Sequence, residues 1–314
     1  MEKYDVIVVG AGAAGLSAAI YATRKKLKTA VVAPEVGGQT ALALDIENYL
    51  GFSGGPGIEL TEKFKEHVKK FKDLELKIGE RVTKIEKSKE GFRVYADTGK
   101  VVYESKALII TSGRVPRRLG IPGEEKFNNK GVSYCSTCDG PLFGGKEVVV
   151  IGGGNAALDT AIFMTKIAKH VNIININPRF SGDPVTIEKV EKGKKITIYQ
   201  SAETKEILGD KFVGAIKFLD KTSGEEKEIK VQGVFVEIGS LPSSEFFRGL
   251  IKTNQWGEIE INERNHTSKE GIFAAGDVTS VPFKQTIIAA GEGAKAALSA
   301  YEYIAKKSAA GTTH

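Results

Sequence analysis

The chain has 314 residues, of which 41% are hydrophobic and 27% are charged, and its formal net charge is +6. This is the composition of an ordinary globular protein, and the length favours two domains over a single core. Lysines and glutamates are mixed, as in 188–192, no basic stripe carries aromatic residues, and no apolar run could span a bilayer. Neither nucleic acid nor a membrane is therefore expected as a partner.

The first predicted element is the β-branched run Asp5–Val9, which is typical of a buried parallel strand. It leads into Gly10-Ala11-Gly12-Ala13-Ala14-Gly15 and then into an alanine-rich helical stretch through Arg24. In such a turn the first glycine permits the tight bend, the second lets the backbone approach a pyrophosphate, and the third lets the helix pack on the strand. The run Val6–Ala22 also resembles a signal-peptide core, but the strand, turn and helix account for it.

The two cysteines of the chain lie three residues apart, at Cys135 and Cys138, and Asp139-Gly140 follows at once. A Cys-x-x-Cys pair can close a reversible disulfide, and its geometry lowers the pKa of one thiol, which favours thiol–disulfide exchange. Half of a zinc site and two buried, inert thiols are the alternatives. Zinc needs four ligands and there is no second pair, so no metal is predicted. A reactive dithiol without an export signal indicates a cytoplasmic protein.

A second strand–turn–helix unit follows the cysteines. Glu147–Ile151 is predicted as a buried strand, residues 152–157 read G-x-G-x-x-A, and a helix continues through Lys166. Two dinucleotide sites in one chain suggest a relay, in which one cofactor is held tightly and the other comes and goes.

The last predicted strand lies in residues 271–278 and ends in Gly276-Asp277, and a helix begins near Ala289. An aspartate at such a strand end can accept a hydrogen bond from a sugar hydroxyl, and the N-terminus of the following helix favours an anion. The alternative is an ordinary strand–turn–helix in which the aspartate caps the helix.

Together these motifs resemble the low-molecular-weight thioredoxin reductase family over nearly the whole chain. The resemblance implies an α/β fold with two Rossmann-like dinucleotide-binding domains, one inserted into the other. The matching segments occur in the order and at the spacings of the family: Gly10–Gly15, Gly37–Gln39, Glu47–Tyr49, Thr111–Gly113, Cys135–Gly140, Gly152–Ala157, Gly271–Val278, Gln285 and Ala289–Ala296.

In that family the FAD domain is made from both ends of the chain, and the pyridine-nucleotide domain is inserted between them. Residues 1–114 and 243–314 would form the FAD domain, and residues 115–242 would form the insert that carries the dithiol. The two crossings at Arg114-Val115-Pro116 and Ser240-Leu241-Pro242 have the prolines of connecting turns. Two thin crossings are compatible with the domain rotation by which the family presents its dithiol to flavin and partner in turn.

The resemblance also implies which residues hold the cofactors. The expected FAD residues are Gly10, Gly12, Ala13, Ala14, Gly15, Glu35, Gly38, Gln39, Asn48, Val82, Thr111, Gly113, Gly276, Asp277, Gln285 and Ile287. The expected NAD(P) residues are Gly152, Gly154, Asn155, Ala156 and Arg179. For Gln39 and Asn48 the alternative is that the side chains cap loops.

The catalytic residues implied by the resemblance are Cys135, Cys138 and Asp139. Electrons would pass from a nicotinamide donor to FAD, then to the Cys135–Cys138 disulfide, and then to thioredoxin or a thioredoxin-like protein. Cys138 would lie nearer the flavin, Cys135 would attack the disulfide of the partner, and Asp139 would act as general acid or base. The alternative for Asp139 is an ordinary turn residue. The family also implies a homodimer.

The chain departs from the family where NADP and NAD are told apart. NADPH-using relatives carry a cluster of His and Arg after the second strand of the inserted domain, because the 2′-phosphate needs cationic partners. Here the predicted strand Val171–Ile176 leads to Arg179 and then to Asp183, and no acidic residue ends the strand to bind a 2′-hydroxyl. Three donors stay open: NADH, NADPH held by Arg179, and another donor such as a ferredoxin or a deazaflavin.

Two further functions stay open. A dithiol oxidase would pass electrons from substrate thiols to oxygen, which the incomplete specificity loop permits and the intact turn at 152–157 disfavours. A flavin-containing redox sensor would bind a partner and turn over little, which the complete dithiol disfavours. Fold alone does not separate these functions, because one architecture hosts several chemistries.

Overall fold

The structure, a computed structural model, describes residues 2–43, 46–97 and 101–311. Within these residues the α-helices are α1 (Ala13–Arg24), α2 (Gln39–Leu42), α3 (Gly57–Val68), α4 (Ser136–Asp139), α5 (Asn155–Thr165), α6 (Pro184–Glu191) and α7 (Thr286–Gly311). Short 3₁₀ helices cover Gly140–Phe143 and Glu245–Phe247. No helix in the described ranges is long and apolar enough to cross a membrane.

The β-strands are short, and most are parallel to their neighbours. In chain order they are β1 (Glu2–Gly12), β2 (Thr29–Gly37), β3 (Leu74–Ile78), β4 (Val82–Lys87), β5 (Phe92–Ala96), β6 (Val101–Ile110), β7 (Arg114–Pro116), β8 (Val132–Ser133), β9 (Glu147–Ile151), β10 (His170–Ile174), β11 (Ile196–Tyr199), β12 (Ala202–Gly209), β13 (Val213–Asp220), β14 (Glu225–Lys230), β15 (Gly233–Val236), β16 (Ser240–Pro242) and β17 (Ile272–Ala274).

The chain divides into two compact units: Met1–Val115 with Leu241–His314, and Pro116–Ser240. The two segments where the chain passes from one unit to the other, β7 and β16, pair with each other. What each unit binds stays a prediction at this point.

The first unit is built on a sheet of order β3-β2-β1-β6-β5-β4, with β17 also paired to β6. Its centre is parallel, and the Val6–Val9 run of β1 is buried on both faces, as its continuous β-branched sequence predicts. Alanines of α1 and α7 pack against the face of the sheet that carries Val6 and Val8. The two helices approach closely at Gly293, where an added Cβ would lie 2.0 Å from the Ala14 carbonyl oxygen.

The second unit contains a parallel sheet of order β11-β10-β9-β15-β8 and an antiparallel sheet of order β12-β13-β14. Helix α5 covers one face of the parallel sheet with Leu158 and Met164, while Ile216 and Phe218 of β13 cover the other. Because the strands of the five-stranded sheet are parallel, their carboxyl ends lie at the same edge of that sheet.

Several element boundaries differ from the sequence-based prediction, and two of them lie beside predicted site residues. The strand predicted to continue to Ile176 ends at Ile174, because Asn175 turns its amide into hydrogen bonds with Arg179 and Gln200. The final helix begins at Thr286 instead of near Ala289.

Candidate functional site

The first glycine turn joins β1 to α1 and has two packed glycines and one open glycine. Gly10 has φ +109°, and a Cβ added there would lie 2.4 Å from the Thr111 carbonyl oxygen. A Cβ added to Gly15 would lie 1.9 Å from the Gly10 carbonyl oxygen, so the helix can start here only without a side chain. At Gly12 the nearest atom to an added Cβ is 3.8 Å away, on Gly37. The backbone of Gly12 is therefore bare and open, as approach of a phosphate requires.

Residues after neighbouring strands complete this edge of the sheet. The Thr111 hydroxyl donates to the Val9 carbonyl at 2.9 Å and ties the end of β6 to the turn. A Cβ added to Gly38 would lie 3.7 Å from the Gly12 Cα, so a second bare backbone lies beside the first. Gly113 has φ +64°, the left-handed conformation that a glycine adopts without strain.

Asp277 follows the C-terminal end of β17 and carries a half-buried carboxylate. Its side chain makes no hydrogen bond to another described residue. Desolvation raises the pKa of Asp277, and the positive charges of Lys284 and Arg114 oppose that shift. A half-buried acceptor without a donor fits a ligand hydroxyl, since polar groups in such places are normally satisfied.

Two more of the predicted flavin residues meet in the structure although they lie far apart in sequence. The Asn48 amide donates to the Gln285 side-chain carbonyl at 3.2 Å. The Gln39 amide donates to the Arg114 carbonyl at 3.4 Å. Both contacts hold loops together, so the loop-capping alternative describes part of what these side chains do here.

The remaining predicted flavin residues differ in exposure. Val82, the first residue of β4, is buried, and Ala13 and Ala14 are buried at the start of α1. Glu35 lies within β2 and is exposed, and Ile287 in the first turn of α7 is 41% exposed. The exposed pair is available to a ligand, whereas Val82 offers its backbone only.

The two cysteines form a disulfide, with their Cα atoms 5.4 Å apart. Cys135 caps α4, and its sulfur accepts a hydrogen bond from the Cys138 backbone amide at 3.1 Å. Cys138 is exposed, whereas Cys135 is half-buried. Asp139 follows in the same turn, half-buried, and its side chain makes no hydrogen bond to another described residue. An amide aimed at the Cys135 sulfur favours the thiolate form of that cysteine.

A line of hydrogen-bonded side chains starts between the two cysteines. The Ser136 and Thr160 hydroxyl oxygens are 2.9 Å apart, and the Thr160 hydroxyl donates to the Glu237 carboxylate at 3.1 Å. Desolvation raises the pKa of Glu237 to about 7, and the bond from Thr160 opposes that shift. Sequence reasoning missed all three residues, because a hydroxyl and a carboxylate 77 positions apart leave no local pattern.

The second glycine turn joins β9 to α5, and residues 181–183 of the same unit are hydrogen-bonded to it. The Ser181 amide donates to the Gly153 carbonyl at 2.8 Å. Asn155, the first residue of α5, accepts from the Asp183 amide at 2.6 Å and donates to the Asp183 carboxylate at 3.2 Å. An acidic side chain is therefore held at the helix end where a pyrophosphate would bind.

The predicted specificity residues lie beside that segment. Arg179 is exposed, and its backbone carbonyl accepts a hydrogen bond from Asn175. Ile176, near the start of the segment 175–183, is apolar and 53% exposed. Arg179 is the one basic residue in that segment, so it alone supplies positive charge directly after the strand. In the described ranges no group of three or more His, Cys, Asp or Glu could hold a metal ion.

Comparison with known proteins identifies the class. The family described as "Pyridine nucleotide-disulphide oxidoreductase" matches residues 4–293. The chain therefore belongs to this family of oxidoreductases, and the predicted family resemblance and α/β fold are confirmed. The coarse cofactor prediction, a flavin and a nicotinamide nucleotide, is supported at the level of the family.

Solved structures similar to this chain include two thioredoxin reductases. The enzyme of T. acidophilum is 41% identical, with a TM-score of 0.87 over 96% of this chain and 99% of that chain. The enzyme of Lactococcus lactis, in its FR conformation, is 33% identical, with a TM-score of 0.88 over the same shares. The predicted enzyme type, a thioredoxin reductase-like oxidoreductase, is thus confirmed at the level of fold and family.

A curated relative named NADH dehydrogenase, from Bacillus subtilis, is 42% identical over 303 residues. That match covers 96% of this chain but 59% of the relative. The chain thus spans about three fifths of the length of the curated relatives it matches, so their activities do not carry over without a separate argument.

Proposed function

We propose that this chain is an FAD-dependent disulfide reductase that passes electrons from a reduced donor through the Cys135–Cys138 disulfide to thioredoxin or a thioredoxin-like protein. The observation that carries the proposal is the disulfide itself, at the head of α4 with a backbone amide on the Cys135 sulfur. The match to solved thioredoxin reductases over nearly their whole length supports the choice of partner.

The first unit would hold FAD at the carboxyl edge of its sheet. The pyrophosphate would lie against the open backbone of Gly12 and Gly38, and the ribityl chain would donate to the Asp277 carboxylate. The Asn48–Gln285 pair and Gln39 would border the flavin ring. Bound FAD would supply the two-electron chemistry that links the donor to the disulfide.

In the second unit the two cysteines would have different roles, one as the attacking thiolate and one as the resolving thiol. Cys135 would attack the disulfide of the partner as a thiolate, because the Cys138 amide stabilises negative charge on its sulfur. Cys138 would then attack the Cys135 sulfur of the mixed disulfide and release the reduced partner. Asp139, in the same turn, would take or give the proton of the thiol that is nearest to it.

The choice of electron donor depends on the second glycine turn and the segment beside it. NADPH or NADH would bind at Gly152, Gly154, Asn155 and Ala156, with Arg179 as the cation. The Asp183 carboxylate, held at the head of α5, disfavours tight binding of either nucleotide. This observation favours a second candidate donor, a ferredoxin or a deazaflavin, and it also keeps a dithiol oxidase in consideration.

The partner, assembly and compartment of the chain are part of the same proposal. A thioredoxin-like partner follows from the neighbours, a homodimer from the resemblance, and a cytoplasmic location from a dithiol that must remain reducible. Size-exclusion chromatography with light scattering tests the dimer directly, since a monomer in solution would overturn it.

Reduction of an oxidised thioredoxin tests the function. The FAD-loaded protein is mixed anaerobically with NADPH, NADH or chemically reduced ferredoxin, and free thiols on thioredoxin are counted. Thiols that appear with one donor, and disappear in Cys135→Ser, support the proposal and name the donor. Peroxide release from a small dithiol in air, without thiols on thioredoxin, would replace it with the dithiol oxidase.

A further inference from the structure

A line of three hydrogen-bonded side chains, of which Ser136 and Thr160 are buried and Glu237 is half-buried, leads from a carboxyl group to the helical turn that holds the disulfide. The oxygens of Ser136 and Thr160 are 2.9 Å apart, and those of Thr160 and Glu237 are 3.1 Å apart. Ser136 and Thr160 are 6% and 3% exposed, so water does not compete for these bonds. Each hydroxyl can accept a proton on one side and donate one on the other.

The fold brings these residues together from three separate elements of the second unit. Glu237 is the first residue after β15, Thr160 lies in the middle of α5, and Ser136 is the first residue of α4. Ser136 directly follows Cys135 and shares its helical turn with Cys138. The line therefore ends within the turn where reduction creates a thiolate.

The surroundings of Glu237 suit a group that exchanges a proton near neutral pH. Desolvation raises its pKa to about 7, and no charged residue contributes to that shift. On α5 the titratable neighbour is Asp159, whose pKa is raised by desolvation and by Asp183, against Lys189. On α4 the titratable group is Asp139, the last residue of the helix that Ser136 begins.

We propose that Glu237 supplies, through the hydroxyls of Thr160 and Ser136, the proton that the dithiol takes up when its disulfide opens. Glu237 acts through the two hydroxyls and does not touch the sulfurs, so it is a positioning residue. The inference rests on the dithiol chemistry of the proposed function and adds a proton source that is separate from Asp139.

The step balances for any thiol reductant. A reductant thiolate attacks one cysteine sulfur, the S–S bond breaks, and the other sulfur leaves as a thiolate. In the disulfide form the Ser136 hydroxyl is hydrogen-bonded to Thr160 and, among the described residues, to neither sulfur. Once the S–S bond opens, the hydroxyl would turn its proton to the thiolate, while Ser136 takes a proton from Thr160 and Thr160 takes one from the Glu237 carboxyl group. The products are a mixed disulfide, one protein thiol and the Glu237 carboxylate. The carboxylate then regains a proton from solvent.

The opposing interpretation is structural: the same hydrogen bonds could simply fix α4 against α5. The two interpretations differ in pH dependence. A proton supply works only while Glu237 is protonated, so its contribution is present at low pH and is lost as pH rises through about 7. A purely structural contact changes the rate by the same factor at every pH.

The test measures how fast dithiothreitol opens the disulfide from about pH 5.5 to about pH 8.5, with each rate divided by the reductant thiolate concentration. Native protein is expected to slow as pH rises through about 7. Glu237→Gln and Thr160→Val are expected to react about tenfold more slowly at low pH and to show a flat profile. Thr160→Ser, which keeps the hydroxyl, is expected to restore the native profile.

The matched control is Glu226→Gln, which removes an exposed glutamate of the same unit and should leave the profile native. A native profile in Glu237→Gln, or an equal slowing at every pH in both variants, overturns the proposal. If Glu237→Gln does not fold, the near-isosteric Thr160→Val decides alone. The assay needs neither a donor nor thioredoxin, so its failure is distinguishable from failure of the proposed function.

Discussion

At the scale of single residues, the two cysteines are not equivalent. The Cys135 sulfur receives a backbone amide, whereas Cys138 is the more exposed residue. Exposure alone would assign Cys138 to attack the partner, and electrostatics assigns Cys135. We assign the attack to Cys135 because the thiolate is the nucleophile and the backbone amide stabilises the thiolate of Cys135. The exposure of a cysteine can change when a partner binds, whereas the amide is fixed in the turn.

The variant Cys138→Ser is therefore expected to have the more acidic remaining thiol. A hydrogen bond to a charged sulfur should make the pKa of Cys135 lower than the pKa of Cys138 in the variant Cys135→Ser. Titration of thiolate absorbance in the ultraviolet measures both. A more acidic Cys138, or a covalent adduct with activated thioredoxin through Cys138 alone, would reverse the two roles.

Glu237 also gives the protein a pH-dependent stability. Its pKa is raised from 4.5 to about 7 in the folded state, so the folded protein holds this proton more tightly than the unfolded chain. The stabilisation is full below about pH 4.5 and is lost as pH rises through about 7. Glu237→Gln stays neutral, and it should be more stable than native above about pH 8 by roughly 2–3 kcal/mol.

Thermal unfolding at several pH values checks this expectation. The two proteins should unfold at similar temperatures near about pH 5, and the variant should unfold at the higher temperature in alkaline buffer. A variant that is less stable than native at both pH values would mean that the carboxylate contributes bonds which glutamine cannot replace.

At the scale of elements, two glycines of the first glycine turn have different roles: Gly15 is required for packing, and Gly12 is expected to contact the cofactor. Gly15→Ala places a Cβ 1.9 Å from a backbone carbonyl, so it should destabilise the fold by about 3 kcal/mol. Gly12 has φ −78° and open space around it, so Gly12→Ala should fold normally. It should nevertheless weaken FAD binding about tenfold, because the methyl group stands where the pyrophosphate would lie.

Denaturant unfolding of the apoprotein and titration with FAD check the pair together. Equal loss of stability in both variants, or unchanged FAD affinity in Gly12→Ala, would show that the open backbone at Gly12 does not face the cofactor.

The second glycine turn predicts how nucleotide affinity should respond to charge. Asp183 is held at the head of α5 by Asn155, so Asp183→Asn removes a negative charge from the place expected for a pyrophosphate. NADPH should bind about fivefold more tightly to this variant, as measured by nucleotide fluorescence. Asp210→Asn, in an exposed loop, is the control. Unchanged NADPH affinity in Asp183→Asn would show that the Asp183 carboxylate does not lie at the nucleotide site.

Much of this architecture follows from local sequence. The buried strand at Val6–Val9, the helix after Gly12 and the unit at Glu147–Thr165 follow from β-branched runs and glycine spacing, which act within a few residues. The contact between Asn155 and Asp183 does not follow from local sequence, because it depends on the course of the loop that carries Asp183. The Ser136–Thr160–Glu237 line is missed for the same reason, since each partner lies on a different element.

At the scale of the whole molecule, the two chemistries lie in different units of one chain. The predicted flavin residues, such as Gly12 and Asp277, belong to the first unit, and the disulfide belongs to the second. The proposed function therefore requires that electrons pass between units that the chain joins at β7 and β16.

The most direct test of the central claim is an anaerobic dithionite titration of the FAD-loaded protein, followed by flavin absorbance and by alkylation of thiols. Our account predicts that native protein consumes twice as many electrons as Cys135→Ser, since a flavin and a disulfide each take two. Both thiols should appear while flavin is reduced. Equal consumption by the two proteins, with the native disulfide intact beside fully reduced flavin, would contradict a flavin-linked disulfide reductase.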